Sequence, residues 1–138
     1  MAAFFYKDFH NKLDAKNRVF IPSKYREQLT EGKAFIILKG PEKCLYVYDE
    51  DTFAEVSKQF ENSKDRVAQR SFFSQAIDVT PDKQGRVTLS TDQLEHADIK
   101  KDLVVVGSGK RFEIWAEENY DGAIVPMDKL SSLNDFVF

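Results

Sequence analysis

"LDAKNRVFI" (residues 13–21) and "PDKQGRVTL" (residues 81–89) decide how this chain is read. In both, an Asp is followed four positions later by an Arg, then by Val, then by an apolar residue two positions further on. Asp14 and Arg18 match Asp82 and Arg86 at one common offset of 68. A second likeness follows in the same order. "KGPEKCLYVYDEDTF" (39–53) matches "VGSGKRFEIWAEENY" (106–120), with Gly40 on Gly107, Lys43 on Lys110, Glu50 on Glu117 and Phe53 on Tyr120 at an offset of 67. Two likenesses in the same order at nearly one offset identify an internal repeat. The chain is two copies of a unit of roughly 50 residues, joined by residues around 54–75.

Each copy predicts the same elements. A strand enters the D-x-x-x-R turn and a second strand leaves it ("RVFI", "RVTL"). Asn17 and Gly85, just before each Arg, tolerate the left-handed backbone that a tight turn needs. A short helix follows, begun by Pro22 or Ser23 in the first copy and capped by Ser90 or Thr91 in the second. Next comes a β-hairpin ("AFIILKG" with "CLYVY"; "LVVVGSGKRFEIW"), then a helix starting near Glu50 or Glu117. The joining segment reads as helical, with Phe53, Val56 and Phe60 on one face and Val67, Phe72 and Phe73 on another. A copy of this size buries too little surface to stand alone. The expected fold is therefore α+β, with two β-hairpin and helix repeats interleaved about a pseudo-two-fold axis into one small barrel-like module that shares strands. The expected bounds are 8–52 and 76–119 for the repeats, 53–75 for a helical connector and 120–138 for a C-terminal helix and tail.

Composition sets the class. The 138 residues are 42% hydrophobic and 31% charged, a globular balance, and the 12 Phe point to a large core or buried interfaces. No run of about 18 apolar residues offers a membrane span. "MAAFFYKDFHNK" lacks the order of a signal peptide, and one cysteine leaves no internal disulfide to form. These features predict a soluble intracellular protein.

The formal net charge of −3 argues against a nucleic-acid partner until its distribution is examined. Residues 14–26 hold Lys16, Arg18, Lys24 and Arg26 against Asp14 alone, a sum of +3. Residues 82–94 hold Lys83 and Arg86 against Asp82 and Asp92, a sum of zero. An arginine offers a planar, permanently charged fork that suits a phosphate or a guanine edge. A tight turn lifts such a fork clear of the sheet, and an Asp that accepts backbone N–H groups holds the turn in shape. Lys16, Arg18, Lys24, Arg26, Lys83 and Arg86 are therefore the candidate DNA-binding residues. Asp14, Asn17, Asp82 and Gly85 are the candidate turn-structuring ones. Lys7 and Lys12 either widen the basic surface or are ordinary surface charges.

Other chemistries find no footing. "GSGKR" (107–111) has Val104 and Arg111 where a phosphate-binding loop needs Gly and Ser or Thr, so it is a hairpin turn. His10 and His96 lie in different copies with no acid or cysteine at ligand spacing, so no metal site is expected. Cys44 sits in an apolar strand and reads as core, and Tyr48 and Trp115, at matching hairpin positions, read as packing residues. No catalytic set converges, so no enzyme, cofactor or small-molecule substrate is expected.

The paired D-x-x-x-R motifs and the strand "LVVVGSGKRFEIWAEENY" resemble the MraZ family of bacterial transcriptional regulators, within the wider SpoVT-AbrB-like, swapped-hairpin superfamily. The resemblance spans roughly residues 5–125. It implies a cytoplasmic, nucleoid-associated repressor of the division and cell-wall gene cluster. Such a protein binds short tandem direct repeats of double-stranded DNA as a homo-oligomeric ring, with the motif arginines at Arg18 and Arg86 and the motif aspartates at Asp14 and Asp82. The chain departs from the family pattern at Asn17, usually Gly, and at Ser90, Thr91, Asp92 and Gln93, where the second copy often carries a Pro and a basic residue. With the charge count, these departures make the first copy the expected main DNA-facing surface. The alternative is an AbrB-like antitoxin or protein-interaction module, using "YDEDTFAE" or the tail "SSLNDFVF".

Overall fold

The computed structural model describes residues 2–130 and Asp135. Phe136, Val137 and Phe138, expected to dock on a sheet or a neighbouring subunit, lie outside the described residues. So do residues 131–134 of the expected C-terminal helix and tail; residues 120–130 hold the end of a five-residue helix, Glu117–Asp121, and a 3-10 turn at Met127–Lys129.

The first copy runs β1 (Asp8–Lys12), β2 (Arg18–Phe20), α1 (Ser23–Arg26), β3 (Phe35–Lys39), β4 (Cys44–Asp49) and into α2 (Glu50–Glu61). After α3 (Arg66–Ser74), the second runs β5 (Ile77–Val79), β6 (Arg86–Thr88), α4 (Thr91–His96), β7 (Asp102–Gly107), β8 (Phe112–Ala116) and α5 (Glu117–Asp121). The caps follow the side chains. Asp49 and Asp65 accept from the backbone N–H of Thr52 and Ala68, and Ser90 with Gln93 forms a reciprocal capping box on α4. Pro22 opens α1 without a side-chain cap.

The strands form one six-stranded antiparallel sheet, ordered β1-β7-β8-β4-β3-β5, and a separate two-stranded ribbon, β2-β6. Exchanging the copies turns each order into itself read backwards. The register agrees residue by residue. In the ribbon Val19 faces Val87, and Arg18–Thr88 is mirrored by Phe20–Arg86. In the sheet Tyr46 faces Glu113, with Leu45–Ile114 mirrored by Val47–Phe112. The pseudo-two-fold axis therefore passes through Val19–Val87 and Tyr46–Glu113, and both copies share every sheet.

The core lies between ribbon and sheet. Alternate residues of the sheet (Phe35, Ile37, Leu45, Val47, Leu103, Val105, Phe112, Ile114) face Val19, Ile21, Val87 and Leu89 below the ribbon, with Tyr25 of α1 beside them. Phe112 sits at the hub of this layer, with ring centroids 4.9 Å from Tyr25, 5.1 Å from Phe5 and 5.4 Å from Phe35. The opposite face carries Cys44, Val104 and Trp115, packed with Tyr120 of α5 at one end, and lies under α2 and α3 at the other. The N-terminal segment closes the assembly. Phe5 exchanges backbone hydrogen bonds with Gly109, and a Cβ on Gly107 would stand 2.2 Å from the backbone N of Tyr6.

Three expectations are corrected, and one feature that the sequence left open, the pairing of the strands around each turn, is decided. The sheet does not close into a barrel, because β1 and β5 are free ends of an open sheet. The strands on either side of each D-x-x-x-R turn do not pair with each other. β1 goes to β7 and β2 to β6, so each turn carries the chain from one layer to the next. The two hairpins differ by one residue: Lys39 pairs with Leu45 across five residues, and Gly107 pairs with Phe112 across four. By register Gly107 thus corresponds to Lys39 rather than Gly40. In the connector, Phe72 stacks on Phe60 and Phe53 at 3.9 and 5.6 Å, but Val67 stays 65% exposed.

Candidate nucleic-acid interface

Both D-x-x-x-R turns are built by the same bonds. Asp14 Oδ1 accepts from the backbone N–H of Lys16 (2.9 Å) and Arg18 (2.8 Å), while its Oδ2 accepts from Arg18 Nε (2.7 Å). Asp82 Oδ1 accepts from the backbone N–H of Gln84 and Arg86 (2.9 Å each), and its Oδ2 from Arg86 Nε (3.0 Å). The backbone closes each turn, with the Asp N–H donating to the Arg carbonyl at 3.0 and 2.8 Å. Asn17 (φ 60°) and Gly85 (φ 85°) take the left-handed positions. Donated hydrogen bonds favour the ionised carboxylate. At Asp14 partial desolvation pushes the pKa up, but the N–H groups of Arg18 and Lys16 outweigh it and hold the carboxyl below its ordinary value. At Asp82 the backbone N–H of Arg86 is the leading cause of the same lowering.

The aspartates are thus turn-structuring, and they also orient the arginines. Each arginine spends its Nε on its own Asp. Each arginine side chain is 27% exposed, so neither is sealed from solvent. The turns are coupled. Ile21 N–H donates to the Gly85 carbonyl (2.8 Å), Leu89 N–H donates to the Asn17 carbonyl (2.9 Å), and Arg86 Nη1 lies 3.9 Å from Asp14 Oδ2.

The remaining bases divide. Arg26 belongs to the first copy yet covers the turn of the second. Its Nε donates to the Ile21 carbonyl (2.8 Å), its guanidinium lies 5.3 Å from the Phe20 ring centre, and a Cβ on Gly85 would touch its Cζ at 2.7 Å. Lys16 and Lys83 are exposed within the two turns. Lys24 points another way, its Nζ 4.8 Å from the centre of the Tyr6 ring. Lys7 lies over Phe9, and Lys12 pairs with Asp102 at 3.2 Å. The structure therefore gathers Asp14, Asn17, Arg18, Arg26, Asp82, Gly85 and Arg86, and leaves Lys7, Lys12 and Lys24 outside the cluster.

Two residues of this surface escape a reading by charge. Val19, Ile21, Val87 and Leu89 point inward, so Phe20 and Thr88 share the outward ribbon face with Arg18 and Arg86. The strict alternation of "RVFI" and "RVTL" carries that signal.

The side chains set aside on sequence grounds are tied elsewhere. Cys44 is buried, and burial raises its thiol pKa to about 12. Trp115 and Tyr48 are buried, and Trp115 Nε1 donates to Glu113 (2.9 Å). His96 Nε2 lies 2.9 Å from the Gly40 carbonyl, and His10 Nδ1 3.2 Å from Glu117.

Comparison with known proteins matches the same duplication. A family model described as "MraZ protein, putative antitoxin-like" matches the chain twice, over residues 4–72 and 72–135. The transcriptional regulator MraZ of Clostridium tetani is 36% identical over 122 residues, covering 85% of this chain and 84% of that protein. Its namesake in Desulforamulus reducens is 38% identical over 122 residues, with the same coverage. That of Carboxydothermus hydrogenoformans is 39% identical over 119 residues, covering 83% and 82%. The duplicated unit, the double match and these identities over most of both chains show that this chain belongs to the MraZ family.

Proposed function

We propose that the protein is a sequence-specific DNA-binding transcriptional repressor of the bacterial division and cell-wall gene cluster, acting in the cytoplasm at the nucleoid. It binds short direct repeats of duplex DNA as a homo-oligomeric ring, with no cofactor and no small-molecule substrate. One observation carries this reading. Two identically bonded turns stand side by side and hold Arg18 and Arg86 by their Nε atoms, so that each fork is positioned before any ligand arrives. The names of the relatives support it. So does scale, since a two-stranded ribbon fits a major groove about 12 Å wide. One module presents few bases, so several must act together, and effective concentration supplies the affinity. A ring with basic turns on one rim accommodates a net charge of −3.

The test uses duplexes from upstream of the host's own division operon. Affinity should fall with salt at a log–log slope of about −0.9 per neutralised phosphate. Arg18→Ala should weaken binding by about 1–3 kcal/mol. The charge sum of residues 14–26 makes this effect the larger on sequence grounds, but with Lys24 turned to Tyr6 and Arg26 covering the turn of the second copy, the loss on Arg86→Ala should be comparable. Five base pairs inserted between two boxes should reduce affinity towards the single-box value. Ten should be tolerated better, because a groove returns to the same side every 10 to 10.5 base pairs, or about one helical turn. Equal effects of five and ten would sink the ring-rim mechanism.

A second reading, an antitoxin-like partner-binding module, draws on the family description and on exposed Val67, Phe73 and Ile77 along α3 and β5. Isolation of a stable hetero-complex without duplex affinity would favour it.

A further inference from the structure

The pseudo-two-fold axis poses a problem for any directional ligand. A ribbon whose halves were identical would sit on a duplex equally well in two opposite orientations. Direct repeats, as in the reading above on which this inference rests, require one orientation. Some residue on the outward face must break the symmetry.

Arg18 and Arg86 do not, because their bonds to their own aspartates and their exposure repeat. The difference lies one step along each strand. Phe20 stands opposite Arg86, and its symmetry mate Thr88 stands opposite Arg18. Phe20 is 41% exposed, an apolar ring standing in solvent between basic groups. The fold does not demand an aromatic there, since Thr88 fills the equivalent place in an equivalent strand pair. Phe20 is also braced. The Arg26 guanidinium lies over its ring and is itself anchored to the Ile21 carbonyl. In the second copy the residue matching Arg26 by the repeat offset is Leu94, which packs against the core. One end of the ribbon thus carries a cation-braced aromatic, and the other a short hydroxyl side chain.

We propose that Phe20 is a specificity-determining residue. It takes the 5-methyl group of a thymine in the major groove, beside the base pair met by Arg86, and so sets the orientation of the module on duplex DNA. The thymine methyl is the apolar feature that the major groove offers, and a phenyl ring is a suitable partner for it. Arg26 holds the ring upright and adds positive charge at the same end.

The test selects a duplex from a random pool with the full-length protein. Its thymines are then replaced singly by deoxyuridine, which removes the methyl and leaves every hydrogen-bonding group. For the wild type, at one end of each box, loss of the methyl should weaken binding about fourfold. Phe20→Ala should bind the parent duplex as weakly as the wild type binds that deoxyuridine duplex, and should show no further loss on substitution. Phe20→Leu, which keeps an apolar side chain, should retain part of the discrimination, and unchanged melting of both variants separates recognition from folding. Wild-type binding indifferent to every deoxyuridine, or Phe20→Ala as sensitive as the wild type, overturns the inference while leaving DNA binding intact. Selection of no duplex overturns both.

Discussion

At the scale of the residue, each D-x-x-x-R turn is a carboxylate saturated by its own loop, and this has a consequence in acid. The Asp14 and Asp82 carboxyls titrate below their ordinary value of 3.8 in the folded chain. A group whose folded pKa is lowered contributes stability above its unfolded pKa, and loses that contribution as pH falls through the folded value. Stability should therefore drop below about pH 4. The Asp14→Asn, Asp82→Asn double variant should show a shallower drop there, and a lower stability at neutral pH. Urea midpoints measured across that range decide it; parallel curves would mean that the turns add nothing to acid sensitivity. The left-handed positions differ in tolerance. Gly85→Ala places a Cβ at φ 85° against Arg26 and should cost about 1–3 kcal/mol. Asn17→Gly keeps the backbone and should change stability by less than about 1 kcal/mol. Thermal melts of the two variants compare them directly.

At the scale of the element, the two short helices after the turns are held differently. α4 carries a full capping box between Ser90 and Gln93, whereas α1 begins at Pro22 with no capping side chain. Ser90→Ala should cost about 1 kcal/mol. Because α4 and the Ala97 that ends it send Leu94 and Ala97 to the core, the loss should appear in the global melt rather than as local fraying. α1 relies on Tyr25, which is fully buried and donates its hydroxyl to the backbone carbonyls of Tyr6 (2.9 Å) and Lys7 (2.5 Å). Burial of that ring raises its pKa to about 12. The helix that presents Lys24 and Arg26 is thereby fixed to the N-terminal segment by its apolar face.

At the scale of the whole molecule, the single ladder of the ribbon and both edge pairings of the sheet join one copy to the other. A half-chain of residues 1–75 or 76–138 would keep one hairpin and lose the partners of its remaining strands. Each alone should show no cooperative melting, and mixing the two should restore the circular dichroism of the intact chain. Cooperative unfolding of either half alone would contradict the shared core.

Much of this was legible in the chain itself. The common offset of the D-x-x-x-R motifs showed the duplication, and the period-two alternation of "RVFI" and "RVTL" agrees with the burial of Val19 and Val87 that the structure shows. Asn17 and Gly85 marked the turns, because few other residues accept a left-handed backbone. Each of these is a local property, set by a residue and its near neighbours. Which strands pair is not local. Nothing in positions 8–20 states that β1 seeks β7 while β2 seeks β6, since that choice rests on burying surface from residues 66 to 98 positions away. The same holds for the site. Charge along the sequence grouped Lys24 with Arg26, but the fold sent one to Tyr6 and the other across the axis to the turn of the second copy. Sequence determines which side chains an element can offer. The tertiary packing alone decides which of them meet, because an axis relating two copies brings together residues that the chain keeps far apart.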